Sequence, residues 1–256
     1  MKIFIIVLLV SLTIGCTACS QNNKKDKSAF LLVGTDPTFP PFESINSKGH
    51  TIGFDIDIAE KIATKLNKKL VVRHLDFDAL FFSLMQSKID LVISAISITE
   101  ERAKQVNFIP YQGEGIDHLS LVFWKQQPER FEEFKGIVAV QTGTFHEKFL
   151  RAVATKDMRI KSFSSVQELI LELKFGKSNA AILEPSVLKL MMLRFPELTA
   201  SPILLGDEYR VHGYGIAINK NNQKLSHEIE EVINDLKADG SIQILEKKWL
   251  YSPCVG

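Results

Sequence analysis

Apolar residues along this chain fall into two alternating rhythms, short unbroken runs and longer stretches with a three-to-four spacing. Residues 31–34 are an apolar run, and 55–66 carry Ile56, Ala59, Ile62, Ala63 and Leu66 on one helical face. Residues 69–74 (KLVVRH) read as a strand, 78–86 as a helix and 90–94 (DLVIS) as a buried strand. Ser97 and Glu100 have the spacing of a capping box for a helix ending near Gln105, and 119–123 form another apolar run. Strands alternating with helices predict an α/β fold with a largely parallel sheet.

The second half begins again. Residues 136–141 read as a strand, and Thr144 with Glu147 caps a helix through Val153. Residues 160–163 are a strand, Ser165 with Glu168 caps a helix that Gly176 ends, and 179–183 are a strand. Glu184-Pro185 opens a further helix with proline in its first turn, where the missing N–H costs nothing. The stretch 80–93 (LFFSLMQSKIDLVI) matches 169–182 (LILELKFGKSNAAI), and Thr38-Phe39 after the first strand is echoed by Thr144-Phe145 after its counterpart. This repeat predicts two similar lobes. A strand over 213–219 and helices over 225–238 and 241–249 complete the pattern.

At 256 residues the chain can bury a sizeable core, and its 45% hydrophobic and 24% charged residues are those of an ordinary globular protein. Lys and Arg total 31 against 30 Asp and Glu, a formal net charge of +1. No basic block longer than Lys24-Lys25 appears, which argues against a nucleic-acid partner. The six histidines are scattered and read as surface or internally satisfied residues, so neither metal nor cofactor is expected.

The amino terminus changes the picture. Lys2 precedes an apolar run over 3–10 that is shorter than the roughly 20 residues a membrane span needs, so it reads as an export signal. Gly15-Cys16 and Ala18-Cys19 resemble bacterial lipoprotein cleavage junctions, although neither has the usual leucine three residues earlier. The expectation is a signal peptide over 1–19, lipidation at Cys16 or Cys19, and a polar tether over 20–27. Cys254 lies near the carboxyl end, so the fold does not depend on an internal disulfide.

Ligands of open α/β sheets bind beyond the carboxyl ends of strands, which here offer Asp36, Ser94, Thr142 through Thr144, and Glu184. Asp36 beside Phe39 is a place for a small cation, or a turn cap. Arg102 stands next to Glu100 and Glu101, where an arginine is ordinarily a solvated helix residue. Phe39 and Phe77 fit a cleft or a core, and Glu184 fits a site or an N-cap.

The motifs over 35–43 (TDPTFPPFE), 53–57 (GFDID), 76–80 (DFDAL) and 94–102 (SAISITEER) occur in this order. Together they resemble the polar amino-acid-binding proteins of bacterial ABC importers, most of all the binders of arginine, lysine and ornithine. The resemblance covers nearly everything after the tether. It implies two α/β lobes joined by two crossovers, a type II periplasmic-binding-protein-like fold. Residues 28–116 with 212–256 would form one lobe and 117–211 the other. It further implies a monomer, exported to the periplasm or cell envelope and anchored to a bilayer. This receptor would capture a basic amino acid and hand it to an inner-membrane ABC permease.

By the same resemblance Arg102 clamps the α-carboxylate, with Ser94, Ala95, Ser97 and Thr144 as further donors and Gln141 beside them. Glu184 takes the α-ammonium, while Asp36, Phe39 and Phe77 receive the basic side chain. Ala95 and Phe39 stand where serine and tyrosine are common, Glu184 where aspartate is usual, and Phe145 where a small polar residue is usual. These departures favour arginine over lysine or ornithine. The alternative is a dehydratase-like enzyme on the same scaffold with Glu184 as general acid.

Overall fold

The computed structural model describes residues 29–251 except Glu114, Arg210 and His212. The signal peptide, the tether, Cys16, Cys19 and Cys254 lie outside the described residues.

Two five-stranded sheets share one plan. The chain runs through β1 (Phe30–Thr35), β2 (Thr38–Phe39), β3 (Glu43–Ile45), β4 (Thr51–Ile52), α1 (Phe54–Lys65), β5 (Lys69–His74), α2 (Phe77–Met85) and β6 (Leu91–Val92). It continues through α3 (Glu100–Ala103), β7 (Val106–Gln112), β8 (His118–Trp124), β9 (Gly136–Gln141), α4 (Phe145–Val153), β10 (Met158–Phe163), α5 (Val166–Lys174) and β11 (Ala180–Leu183). It ends with α6 (Pro185–Arg194), β12 (Leu198–Leu204), β13 (Tyr214–Asn219), α7 (Gln223–Ala238) and α8 (Ser241–Glu246). The first sheet has the order β5-β1-β6-β13-β7 and the second β10-β9-β11-β8-β12. Strand for strand β1 corresponds to β9, β5 to β10 and β6 to β11, the correspondence carried by the sequence repeat. In each sheet the fourth strand, β13 or β8, is antiparallel to its neighbours. The sheets are therefore mixed, not largely parallel. The expected pattern missed β7 and β12, which lie on the sheet edges, and the small antiparallel sheet β2-β3-β4.

Both faces of each sheet are covered, which explains the continuous apolar runs. In the first sheet Leu91, Ile216 and Ile218 pack on the side of α1, α7 and α8, whereas Val92 and Ala217 pack with Leu80 and Leu84 of α2. In the second, Val138, Val140 and Ile182 meet Phe145, Phe149 and Leu150 of α4, while Ala139 and Leu183 share a cluster with Leu169 and Leu173 of α5. Helix α1 buries Phe54, Ile58 and Ile62 on one face. Its entry requires glycine: Gly53 has φ +144°, and a Cβ there would lie 2.0 Å from the Phe42 carbonyl oxygen.

The crossovers between sheets run side by side. The Ile116 N–H donates to the Val211 carbonyl at 3.0 Å, and Gly213 (φ +83°) sits against Gly113, where a Cβ would lie 2.5 Å from its carbonyl oxygen. The chain thus returns to the first sheet through β13 after completing the second.

Candidate functional site

The carboxyl ends of β1, β6, β9 and β11 face one another across the cleft between the two lobes. They enclose a narrow cavity of about 20 Å³, lined by Asp36, Phe39, Phe77, Ser94, Ala95, Ser97, Arg102, Gln141, Thr144, Phe145, His146 and Glu184. All ten residues singled out in the sequence line it.

Asp36 follows β1 and is 3% exposed. Its N–H donates to the Ser94 hydroxyl at 3.0 Å, and its Oδ2 accepts from Gln141 Nε2 of the second lobe at 2.8 Å. Gln141 also donates to the Ser164 carbonyl at 3.0 Å, so its amide is fixed from both sides. Burial, assisted by the Asp76 charge, raises the Asp36 carboxyl from 3.8 to about 6 against the opposing pull of its hydrogen bonds. Its side chain is engaged with the second lobe and not merely with the following turn. Phe39 is buried and stacks on Phe42 with centroids 6.0 Å apart, and Phe42 belongs to the core, edge-on to Tyr214 and Phe54.

Arg102 is not a solvated helix residue. Its guanidinium carbon lies 5.5 Å from the Phe77 ring centre and 5.3 Å from that of Phe81. Nη1 donates to the Ser97 carbonyl at 3.0 Å, and Nη2 crosses the cleft to the Gly143 carbonyl at 3.1 Å. Burial lowers it from 12.5 to about 10, with the Glu184 charge opposing, so it stays cationic at neutral pH. The helix carrying it is shorter than expected and is capped by Thr99, whose hydroxyl accepts the Arg102 N–H, not by Ser97. Ser97 instead bridges to β13 opposite Tyr214, which leaves its carbonyl for Arg102.

In the second lobe Thr144 caps α4 by accepting from the Glu147 N–H at 3.2 Å while donating to the Gln141 carbonyl at 2.7 Å. Glu147 returns to the Gly143 N–H and not to Thr144, so the expected box is half formed, whereas Ser165 and Glu168 make a complete one. Glu184 is 2% exposed and makes no capping bond to α6. Its Oε1 pairs with His146 Nε2 at 2.8 Å and its Oε2 accepts from the Tyr214 hydroxyl. His146 and Phe145 line the cavity without having been singled out as site residues. The signal for them was the echo of Thr38-Phe39 in Thr144-Phe145, which puts residues 145 and 146 at the same strand-end turn.

The arrangement can hold a small zwitterion. It has a carboxylate wall at Asp36, a guanidinium at Arg102, a second carboxylate at Glu184, and aromatic faces between them. It shows no nucleophile–base pair, and among the described residues no cluster of His, Cys, Asp or Glu could hold a metal ion. The fold and site together define a two-lobed receptor for a small polar solute.

Comparison with known proteins agrees. The model of bacterial extracellular solute-binding proteins, family 3, matches residues 31–252. A probable ABC transporter arginine-binding protein, ArtJ, from Chlamydia trachomatis is 39% identical over 250 residues, covering 97% of this chain and 96% of the relative. Among solved structures, a mutant of ArgBP from T. maritima superposes with a TM-score of 0.80 at 33% identity, covering 88% of this chain and 96% of that one. An ancestral arginine-binding protein bound to arginine gives 0.78 at 34% identity, covering 86% and 98%. The chain belongs to family 3 of the bacterial extracellular solute-binding proteins. It is therefore an amino-acid-binding component of an ABC importer and not an enzyme, which removes the dehydratase reading of Glu184.

Proposed function

We propose that the protein captures arginine in preference to other amino acids and delivers it to its ABC permease. The observation that carries this reading is the charge balance of the cavity. Its lining holds two carboxylates, Asp36 and Glu184, against one guanidinium, Arg102, a formal excess of one negative charge with His146 counted as neutral. A basic amino acid, with two cationic groups and one carboxylate, supplies the missing positive charge, and a neutral one does not. Arg102 takes the α-carboxylate, Ser97 and the backbone of Ser94 add donors, and Glu184 takes the α-ammonium, while the Ala95 N–H and the Thr144 hydroxyl are already given to Asp55 and to the Gln141 carbonyl. Asp36 receives the side-chain cation between Phe39 and Phe77, a geometry that suits a flat guanidinium better than a compact ammonium. The arginine-binding relatives support the same choice.

The lobe division 28–116 with 212–256 against 117–211 belongs to this proposal, supported by the paired crossovers at Ile116 and Val211. So does a lipid anchor at Cys16 or Cys19, supported by the two cleavage-like junctions. Isothermal titration of the ligand-stripped domain with arginine, lysine, ornithine and citrulline tests the specificity. Arginine is expected to bind tightest, and lysine binding equally well or better would overturn the preference. Fatty-acid labelling of Cys16→Ser and Cys19→Ser tests the anchor, and label retained in the double variant would remove it.

A further inference from the structure

Behind the pocket wall lie two carboxyl groups with no role in the reading above. Glu43, which opens β3, and Asp55, in the first turn of α1, are both 0% exposed. Asp55 accepts on both oxygens, from the Ala95 N–H at 2.7 Å and from the Tyr111 hydroxyl at 2.7 Å. Glu43 accepts from the Ser94 hydroxyl at 2.8 Å on Oε1. Its Oε2 is buried and receives no donor, and the group lies within hydrogen-bonding reach of Asp55. Among the described residues neither carboxyl has an ion-pair partner. The titratable groups facing them are acids and phenols: Asp36 after β1, Tyr111 on β7 and Tyr214 on β13.

Two adjacent buried carboxyls without a cation cannot both be ionised. The proton belongs on the oxygen that lacks a donor, because there it becomes a donor to Asp55. Burial first, and then the Asp55 charge, push Glu43 well above the usual carboxyl range. Burial also raises Asp55, from 3.8 to about 6, but there the Ala95, Tyr111 and Glu43 hydrogen bonds oppose it, so Asp55 is the one of the two that ionises first.

The pair is tied to the cavity wall at two points. The Ser94 hydroxyl sits between the Asp36 N–H and Glu43, and Asp55 holds the N–H of Ala95. Ala95 has φ +41°, a left-handed conformation that a residue with a Cβ disfavours, so its place in the wall needs such a restraint.

We propose that Glu43 and Asp55 share one proton carried on Glu43, and that the single negative charge on Asp55 acts through the Ser94–Ala95 wall as a second anionic determinant of the preference for a cationic side chain. This deepens the amino-acid-binding reading and rests on it. Asp55 and Glu43 are positioning residues, since neither lines the cavity.

Two measurements test it. Infrared spectra of the ligand-free protein at mildly alkaline pH, where Asp36 is ionised, are expected to show the C=O stretch of a protonated carboxyl. That band should persist in Asp36→Asn and vanish in Glu43→Gln. No band in the wild type, or one that survives Glu43→Gln, overturns the shared proton. Titration with arginine and with citrulline, its neutral counterpart, reads the specificity. Asp55→Asn and Glu43→Leu are expected to lower the arginine-to-citrulline affinity ratio about tenfold, and Glu43→Gln, which still donates to Asp55, to restore it within about threefold. A purely structural role would weaken both ligands alike and leave the ratio unchanged, which overturns the proposal, as does a Glu43→Gln ratio as low as that of Glu43→Leu. If Asp55→Asn and Glu43→Leu fail to fold, the infrared band and the Glu43→Gln ratio decide. A wild type that bound neither ligand would overturn the amino-acid reading while leaving the infrared test intact.

Discussion

Replacing Asp36 by Asn removes a charge and keeps the shape, and it should move stability and affinity in opposite directions. The carboxyl stands at about 6 in the ligand-free fold against an ordinary 3.8, so the folded state binds its proton more tightly than the unfolded chain does. Its contribution to stability is therefore fully present at acid pH and is lost as pH rises toward about 6. The rise from 3.8 to about 6 corresponds to on the order of 3 kcal/mol, and at 3% exposure solvent screening removes little of it. Asp36→Asn avoids that loss and still offers an oxygen to Gln141, so the ligand-free variant should melt several degrees higher at neutral pH. Arginine binding should suffer. Removing one partner of a buried, charge-assisted hydrogen bond costs roughly 2–4 kcal/mol, or about 30- to 1,000-fold in affinity, while citrulline should lose little.

The same group gives arginine binding a pH dependence. Below about 6 the ligand must displace the Asp36 proton, so affinity is flat above that pH and falls by up to about tenfold per unit beneath it. The variant should lose most of that slope. Calorimetry across this range, with thermal melts of the ligand-free proteins, measures all three quantities. Asp36→Asn that melted no higher, or that weakened citrulline as much as arginine, would refute the reasoning.

Three other changes have separable outcomes. Arg102→Lys keeps a charge but loses the two-pronged donor and the stacking on Phe77 and Phe81; every amino acid should bind about 10- to 100-fold more weakly by titration, with the arginine-to-citrulline ratio unchanged. His146→Ala leaves buried Glu184 short of a partner and should cost about 1–3 kcal/mol in denaturant unfolding, with His146→Gln recovering part of it. Gly213→Ala drives a Cβ into the Gly113 and Gln112 carbonyls and should cost more than about 2 kcal/mol. Gly49→Ala, at a similar φ of +80° but with nothing within 4 Å, should cost about 1 kcal/mol in the same melts.

The repeat made the two-lobed plan legible because 80–93 and 169–182 occupy equivalent places, α2–β6 and α5–β11, and both must bury two sheet faces with the same spacing. The edge strands β7 and β12 were hidden because their apolar positions are broken by Pro110 and Pro202, and the antiparallel insertion of β13 depends on pairing over a long separation that no local pattern encodes. In the site, Asp36 and Arg102 stood out because they lie in the motifs over 35–43 and 94–102 that carry the family resemblance. His146 did not, since a histidine in a first helical turn looks ordinary until Glu184, 38 residues on, is folded against it. Glu43 and Asp55 stayed hidden for the same reason: each belongs to a motif that reads as a turn or helix start, and only the fold reveals that both are buried together.

Gln141 shapes how the cleft discriminates. Its amide already donates to Asp36 Oδ2 from the second lobe, so a neutral side chain entering the cavity can add only a further uncharged donor to that carboxylate. A guanidinium adds a charged donor to the same group, or exchanges a neutral one for it. Both donors meet an ionised acceptor, so the gain comes from the guanidinium's own charge beside a buried carboxylate and not from the hydrogen bond as such. Cross-cleft contacts at the rim add little, because the Lys148–Glu101 pair is 67% and 58% exposed and such pairs contribute at most about 1 kcal/mol. Inside, Arg102 spans to the Gly143 carbonyl, a bond the α-carboxylate of any amino acid would compete for. On the proposed reading the carboxylate clamp acts alike on every amino acid, while Asp36, held by Gln141 and backed by Asp55, would separate basic ligands from neutral ones.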